Sequence, residues 1–170
     1  MACELIRPFY REPCATPAEV CGVGAAASIF ALVASLLIRV GAPAPDVALP
    51  MAGGSVQRVA AEKGRFVVMH FWATWCHVCI EELPVFTRLE RVYGSKIRLL
   101  TVSDEREDVA ASYYRLWNVD LPLVADTKGS VFAAYGVVAL PVTVVIAPDG
   151  TVRYVREGEV DEGALKQALN

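Results

Sequence analysis

The pattern of apolar and polar positions first marks out a buried strand followed by a long helix. Residues 66–72 form an unbroken run of β-branched, aromatic and large apolar side chains, short enough for a strand buried on both faces. After this run, apolar residues recur at helical spacing as far as Val92, and Gly94 ends the pattern. We therefore predict a helix that begins at Cys76, with Thr74 as its N-cap.

The remaining pattern predicts further strands and helices. Gly53-Gly54 and Asp149-Gly150 are typical turns of small hairpins, and Ser103-Asp104 could cap the helix that follows the second buried strand. The predicted strands are residues 47–49, 56–59, 97–102, 121–125, 142–146 and 151–156, and the predicted helices are about residues 106–117, 128–135 and 162–169. This order indicates an α/β domain in which a mixed central β-sheet carries helices on both faces.

A second kind of apolar pattern lies near the N-terminus. Residues 22–38 hold no charge, are rich in Ala, Leu, Val and Ile, and are followed by Arg39. A bilayer-spanning helix needs roughly 17–25 apolar residues, so we predict a transmembrane helix at residues 20–40. A buried core helix and a cleaved signal peptide are the alternatives. A cleaved signal peptide would want a basic start, but the charges before this segment are mixed. The small residues at 42–44 resemble a cleavage site, but Pro45 follows and disfavours cleavage, so we expect a retained anchor.

Composition and charge narrow the classes of function. The 170 residues are 55% hydrophobic, which allows one domain with a sizeable core besides the apolar N-terminal segment. We divide the chain into a tail at residues 1–19, the anchor at 20–40, a short stiff linker at 41–45 and a domain at 46–170. The net charge is −3 at pH 7, so no nucleic-acid partner is expected, because such partners bind basic patches.

The candidate chemistry lies at the start of the first long helix, where Cys76 and Cys79 are three residues apart. On a first helical turn this spacing places both sulfurs on one face, where they can bond. The N-terminal sulfur lies where unpaired N–H groups and the helix dipole favour an anion, so its pKa falls and thiolate is available. We expect Cys76 to be the nucleophile and Cys79 the more buried, resolving thiol.

Two other interpretations of the cysteine pair are weaker. A structural disulfide within one helical turn would close a tiny loop and constrain the unfolded chain little. A zinc half-site needs a second pair of ligands, and the catalytic region offers only His70 and His77. We therefore expect thiol–disulfide chemistry with no metal and no cofactor beyond the redox-active Cys76–Cys79 pair.

The segment FWATWCHVCIEELP, residues 71–84, resembles the active-site signature of the thioredoxin superfamily. With Glu82 and Pro84, it is similar to the TlpA/ResA-type branch of membrane-anchored thiol–disulfide oxidoreductases. The resemblance covers about residues 44–170. It implies a thioredoxin-like fold with the helix–strand insertion of that branch, preceded here by the N-terminal transmembrane helix.

The same resemblance implies a location and partners. The protein would be a single-pass protein of the cell membrane with its catalytic domain extracytoplasmic, on the periplasmic side. Cys3, Cys14 and Cys21 would then be unpaired thiols on the cytoplasmic side or in the anchor. The partners implied are protein thiol or disulfide clients, apocytochrome c among them, and a membrane electron donor that re-reduces the enzyme.

The resemblance also places a substrate-binding loop opposite the cysteines. Pro141 opens a predicted strand, where an ordinary proline would interrupt the ladder. By resemblance it is a cis-proline that faces the cysteine pair, and with Leu140 it would contact the bound substrate chain. A trans turn proline is the alternative. We expect Trp75 to form part of the rim on which a partner docks.

Three titratable side chains near the pair are candidates for proton transfer or tuning. Glu82 lies one helical turn after Cys79, and a partly buried carboxyl there could exchange protons with that thiol. His70 is either a proton relay, since an unperturbed imidazole titrates near neutrality, or a hydrogen-bonded core residue. His77 either tunes the nucleophile when charged or is an exposed spacer.

These expectations together predict a protein-disulfide reductase. The Cys76 thiolate attacks a disulfide in a client, and Cys79 resolves the mixed disulfide that forms. A peroxidase of the same fold is one alternative, but it would keep Pro and Thr where this chain has Met69 and Ala73. A copper or zinc chaperone that uses the two cysteines and His77 is another, and it would want further ligands.

Overall fold

The computed structural model describes residues 38–170. Its main sheet has five strands in the order β5-β4-β3-β6-β7, and a separate two-stranded hairpin pairs β1 with β2. The strands are β1 (Ala48–Pro50), β2 (Val56–Arg58), β3 (Phe66–Phe71), β4 (Ile97–Ser103), β5 (Leu123–Ala125), β6 (Val142–Ile146) and β7 (Val152–Glu157). The α-helices are α1 (His77–Tyr93), α2 (Glu107–Trp117), α3 (Ser130–Ala134) and α4 (Glu162–Ala168).

The central strand β3 fixes the topology. It is parallel to β4 and antiparallel to β6, so the sheet is mixed, as the sequence predicts. The residues of β3 alternate between two hydrophobic clusters, one on each face of the sheet. Val68 and Trp72 face the cluster that includes α1, α2 and α4, whereas Met69 and Phe71 face the cluster that includes α3 and β1. The predicted α/β arrangement with helices on both faces is confirmed.

The Gly53-Gly54 hairpin is confirmed and packs on the edge of the main sheet. Strands β1 and β2 pair antiparallel, and the Ala52 N–H donates to the Leu123 carbonyl at 2.9 Å. Both glycines have φ of 89°, a conformation that L side chains rarely adopt, which accounts for glycine at these two turn positions.

Residues 41–45, expected as a linker, are hydrogen bonded to the domain. The Gly41 N–H donates to the Val152 carbonyl at 2.7 Å, and the Ala44 N–H donates to the Gly150 carbonyl at 2.9 Å. The predicted tail and nearly all of the predicted anchor, with Cys3, Cys14 and Cys21, lie outside the described residues. None of the helices within residues 38–170 combines the length and apolar character that a bilayer crossing requires.

The predicted caps and one turn differ from the structure. Thr74 does not cap α1; Cys76 does, because Thr74 is bound to Glu105 instead. Helix α2 has no side-chain cap from Ser103-Asp104, and its N-cap residue is Arg106. The β6–β7 turn is centred on Pro148 and Asp149, because the Gly150 N–H donates to the Ala147 carbonyl at 2.9 Å.

Candidate active site

The corner between β3 and α1 positions the two cysteines. The Trp72 N–H donates to the Val102 carbonyl at 2.9 Å and extends the pairing with β4 just beyond β3. The Cys76 N–H then donates to the Ala73 carbonyl at 3.1 Å, which turns the chain into the helix. Cys76 is the N-cap of α1, and its sulfur accepts the Cys79 N–H at 3.3 Å. The helix start thus directs a backbone donor at the sulfur of Cys76, which favours a charged sulfur there.

Cys76 and Cys79 are joined as a disulfide, with the two sulfur atoms 2.01 Å apart. Cys76 retains 7% exposure and Cys79 none. Of the two cysteines, Cys76 is therefore the one nearer the surface. The geometry agrees with a redox-active pair whose outer member meets the partner.

The turn that precedes Cys76 is held by Glu105, a residue that the sequence interpretation missed. Glu105 Oε2 accepts the Thr74 N–H and Oε1 accepts the Thr74 hydroxyl, both at 2.7 Å. Glu105 lies just after β4, and its own N–H donates to the Ser103 hydroxyl at 3.2 Å. This clamp joins the cysteine turn to the β4–α2 loop. No local motif in the sequence signals a contact across 31 positions.

Glu82 lies on the buried face of α1, with only 4% exposure. Its Oε1 accepts the backbone N–H of Val160, from the loop between β7 and α4. Its Oε2 has no hydrogen-bond partner within the described part of the chain. Burial raises the pKa of Glu82, the Val160 N–H lowers it, and the nearby charge of Glu159 raises it further. A carboxyl with a raised pKa is a stronger base than an ordinary carboxylate and therefore a better proton acceptor.

His70 is fully buried on β3, on the face of the sheet that α1 covers. Its Nδ1 lies 3.3 Å from the Thr143 hydroxyl and 3.8 Å from Glu82 Oε2, and its ring lies 4.2 Å from that of Phe86. Burial lowers the pKa of His70 to about 3, and the Cys79 backbone opposes this only in part. The imidazole is therefore uncharged at neutral pH.

The loop before β6 reaches the cysteine corner through the strand register. Val142 pairs with Phe71, so the residues before β6 lie beside those that follow β3. The Leu140–Pro141 peptide bond is cis, which agrees with the expectation from the resemblance. Pro141 is buried and its carbonyl accepts the Gly158 N–H at 2.9 Å. Leu140 packs against the hydrophobic cluster that contains both cysteines.

The outer side of the corner is exposed. Trp75 is 73% exposed, whereas Trp72 is fully buried and stacks on Tyr114. His77 points away from the protein, and its Nε2 lies 3.2 Å from Oε1 of the exposed Glu81. The apolar surface of Trp75 adjoins Cys76 in sequence and is available to a partner.

The alternatives, a peroxidase and a metal chaperone, would need particular residues near the cysteine pair. Met69 and Ala73, at the positions where a thioredoxin-fold peroxidase would need Pro and Thr, are both buried apolar residues without a hydroxyl. Across residues 38–170, no three His, Cys, Asp or Glu side chains converge into a group that could hold a metal ion.

Several known proteins are similar to this chain in sequence. A family model described as the AhpC/TSA family matches residues 40–155. The thiol-disulfide oxidoreductase ResA of Geobacillus thermodenitrificans is 31% identical over 135 residues, which cover 78% of this chain and 77% of that protein. The thiol:disulfide interchange protein DsbE of Xylella fastidiosa is 27% identical over 169 residues, 91% of this chain and 85% of that protein.

A solved structure agrees with these relatives. The crystal structure of a putative thiol:disulfide interchange protein DsbE from Chlorobium tepidum superimposes with a TM-score of 0.71 at 27% identity, covering 77% of this chain and 95% of that one. The fold, the cysteine pair and these relatives lead to one conclusion. The chain belongs to the thioredoxin-like AhpC/TSA family and is a thiol–disulfide oxidoreductase similar to ResA and DsbE.

Proposed function

We propose that this protein reduces disulfides in extracytoplasmic client proteins, with Cys76 as nucleophile and Cys79 as resolving thiol. The observation that carries the proposal is the Cys76–Cys79 disulfide at the start of α1, in which Cys76 retains slight exposure and Cys79 is fully buried. A helix start favours the thiolate form of the outer sulfur, and the thiolate is the species that attacks.

The reaction follows the order of exposure of the two sulfurs. The Cys76 thiolate attacks one sulfur of the client disulfide, and the other client sulfur leaves as a thiolate. Cys79 then loses its proton and attacks the Cys76 sulfur, which releases the reduced client. Two electrons pass to the client, and the enzyme is left with the Cys76–Cys79 disulfide. A dithiol electron donor in the membrane must then reduce that disulfide.

Glu82 is the proposed proton acceptor for Cys79. It lies one helical turn beyond Cys79 on the buried side of α1. Its Oε2 is not hydrogen bonded within residues 38–170, so one carboxyl oxygen remains available for a proton. Because burial raises the pKa of Glu82, this carboxyl binds a proton more readily than an ordinary carboxyl does.

The client is proposed to dock on Trp75, Leu140 and Pro141. Trp75 offers an exposed aromatic surface beside Cys76, and the strand register brings the Leu140–Pro141 loop to the same edge of the sheet. His77 lies on the exposed first turn of α1 and is a candidate for tuning the nucleophile. The TlpA/ResA resemblance supports apocytochrome c as a client and an anchor at residues 20–40 that holds the domain on the periplasmic side.

Trapping in cells tests this proposal. With Cys79→Ala, the mixed disulfide on Cys76 cannot be resolved, so clients should accumulate in covalent complexes that mass spectrometry identifies. We expect extracytoplasmic proteins with cysteine pairs, apocytochrome c included. Cys76→Ala is the matched control and should trap none. Trapping of the same proteins by Cys76→Ala would contradict the assigned nucleophile, and trapping of cytosolic proteins alone would contradict the location.

A further inference from the structure

We propose that Thr143 and His70 are positioning residues of the exchange reaction, in which the Thr143 hydroxyl orients the His70 imidazole and the imidazole holds the Glu82 carboxyl on the Cys79 side of α1. The inference rests on the proton-transfer role proposed above for Glu82. It adds the residues through which the sheet acts on that carboxyl.

The strand register brings three buried polar residues into one row. His70 on β3 pairs with Thr101 on β4 and with Thr143 on β6, and all three are fully buried. Directly paired residues share a face of the sheet, so the row lies beneath α1. The Thr101 hydroxyl is bound to the Tyr114 hydroxyl and the Pro122 carbonyl. The Thr143 hydroxyl, in contrast, contacts His70 Nδ1 at 3.3 Å.

The imidazole is confined between the sheet and α1. The ring of Phe86 lies 4.2 Å from its centre on one side, and the backbone of Cys79 contacts it on another. Its Nδ1 faces the Thr143 hydroxyl and, at 3.8 Å, Glu82 Oε2. The Oε2 atom is buried without a hydrogen-bond partner among the described residues. Unpartnered buried polar atoms are costly, and active sites are where such a cost is retained.

The neutral imidazole can serve both protonation states of Glu82. Burial lowers the pKa of His70 to about 3, so the ring carries a single proton at neutral pH. When that proton is on Nδ1, the Nδ1–H group is a donor that faces an ionised Glu82 Oε2. When the proton is on Nε2, Nδ1 is an acceptor that faces a protonated Glu82 carboxyl. A hydroxyl both donates and accepts, so Thr143 can support either tautomer.

Groups outside the row beneath α1 also raise or lower the pKa of Glu82. The charged or titratable neighbours are Cys79 on the same helix, His70 on β3, Tyr154 on β7 and Glu159 in the β7–α4 loop. Glu159 raises the pKa of Glu82, and the Val160 N–H lowers it. Neither comes from the row beneath α1, so a change at Thr143 should act on Glu82 through His70 alone.

In the resolving step, Cys79 gives its proton to the Glu82 carboxylate, and its thiolate attacks the Cys76 sulfur. The Cys76–client bond breaks, and the client sulfur leaves with the electron pair. Thr143 and His70 neither gain nor lose a proton overall. Their orientation fixes how readily Glu82 accepts one, so they should affect this step and not the first attack.

Stopped-flow reaction of the reduced full-length chain with 5,5′-dithiobis(2-nitrobenzoate) separates the two steps. Attack by Cys76 releases one thionitrobenzoate, and resolution by Cys79 releases the second. Cys3→Ser, Cys14→Ser and Cys21→Ser remove the other thiols. We expect Thr143→Val to slow the second release about three- to tenfold near neutral pH, the loss expected for one hydrogen bond, and to shift its pH midpoint. The first release should not change.

Two variants control this experiment. Thr143→Ser keeps the hydroxyl and should restore the pH profile. Thr101→Val removes a buried hydroxyl at the same level of the sheet that is bound to Tyr114 and Pro122 and not to His70, and it should leave the pH midpoint of the second release unchanged. An unchanged second-release profile in folded Thr143→Val would overturn the proposal. Equal slowing of both releases together with a lowered Tm would also overturn it, since that marks a purely structural role. A different result would contradict the proposed function itself: the wild-type protein would release no second thionitrobenzoate.

If Thr143→Val does not fold, the wild-type chain still gives an answer. With ¹⁵N-labelled histidine, the ring-nitrogen shifts of His70 report its tautomer directly. We expect them to change along the titration of Glu82 and to become constant in Glu82→Gln. Ring-nitrogen shifts of His70 that do not change with pH in the wild-type protein would overturn the proposal.

Discussion

At the scale of single residues, burial decides which groups can take part in the chemistry. Cys76 keeps 7% exposure while Cys79 and His70 keep none, and Glu82 keeps 4%. The motif predicts the two cysteines and Glu82 because helical spacing alone places them on one face. It cannot predict Thr143, which reaches His70 only through the pairing of β6 with β3. Burial also lowers the pKa of His70, which favours the uncharged ring.

Glu82→Gln should slow the exchange reaction by at least about tenfold near neutral pH, because an amide cannot accept the Cys79 proton. The raised pKa of Glu82 means that the wild-type carboxyl becomes a base only as pH rises through that raised value. The wild-type rate should therefore rise across this window, and the inflection should be absent in the variant. Rates of insulin reduction from pH 5 to 9, in steps of about one unit, measure this.

The matched control for Glu82→Gln is Glu81→Gln, which changes an exposed carboxyl at the neighbouring position of the same helix. Its pH profile should keep the inflection that is assigned to Glu82. An inflection that persists in Glu82→Gln would remove Glu82 from the proton transfer.

At the scale of elements, the start of α1 depends on partners far along the chain. The sequence predicts the strand and the helix to within one residue at the end of the strand and at the start of the helix, because hydrophobic periodicity is a local property. It assigns the cap to Thr74, a reasonable N-cap residue by type. In the structure, Glu105 from the β4–α2 loop binds both the N–H and the hydroxyl of Thr74, and Cys76 becomes the cap. The local hydrophobic pattern does not predict a contact between the loops that follow two neighbouring strands.

Glu105→Gln should weaken this clamp, because a neutral amide carbonyl accepts the Thr74 N–H less strongly than a carboxylate does. We expect a loss of about 1–2 kcal/mol in the free energy of unfolding, measured with urea. The exposed neighbour Asp104→Asn removes one negative charge at the adjacent position and should change stability little. Equal stability of Glu105→Gln and the wild-type protein would show that the clamp does not hold the turn.

At the scale of the whole molecule, the mixed sheet brings distant segments to one edge. The cysteine corner follows β3, the Glu105 loop follows β4, and the Leu140–Pro141 loop precedes the antiparallel β6. The order of elements is enough to predict this fold class, because few topologies accommodate it. The pairing register, which decides the individual neighbours, is not encoded in the apolar pattern alone. The predicted membrane anchor would hold this edge where extracytoplasmic clients can reach it.

The central claim is that the sulfur of Cys76 is an available thiolate near neutral pH and pairs with Cys79. Its most direct test is the pH dependence of iodoacetamide alkylation of Cys76 in the reduced full-length chain, followed by mass spectrometry of the peptide that contains it. We predict a midpoint clearly below about 8.5, the ordinary value for cysteine, and no alkylation after mild oxidation. A midpoint at the ordinary value, with Cys76 still reactive after oxidation, would contradict it.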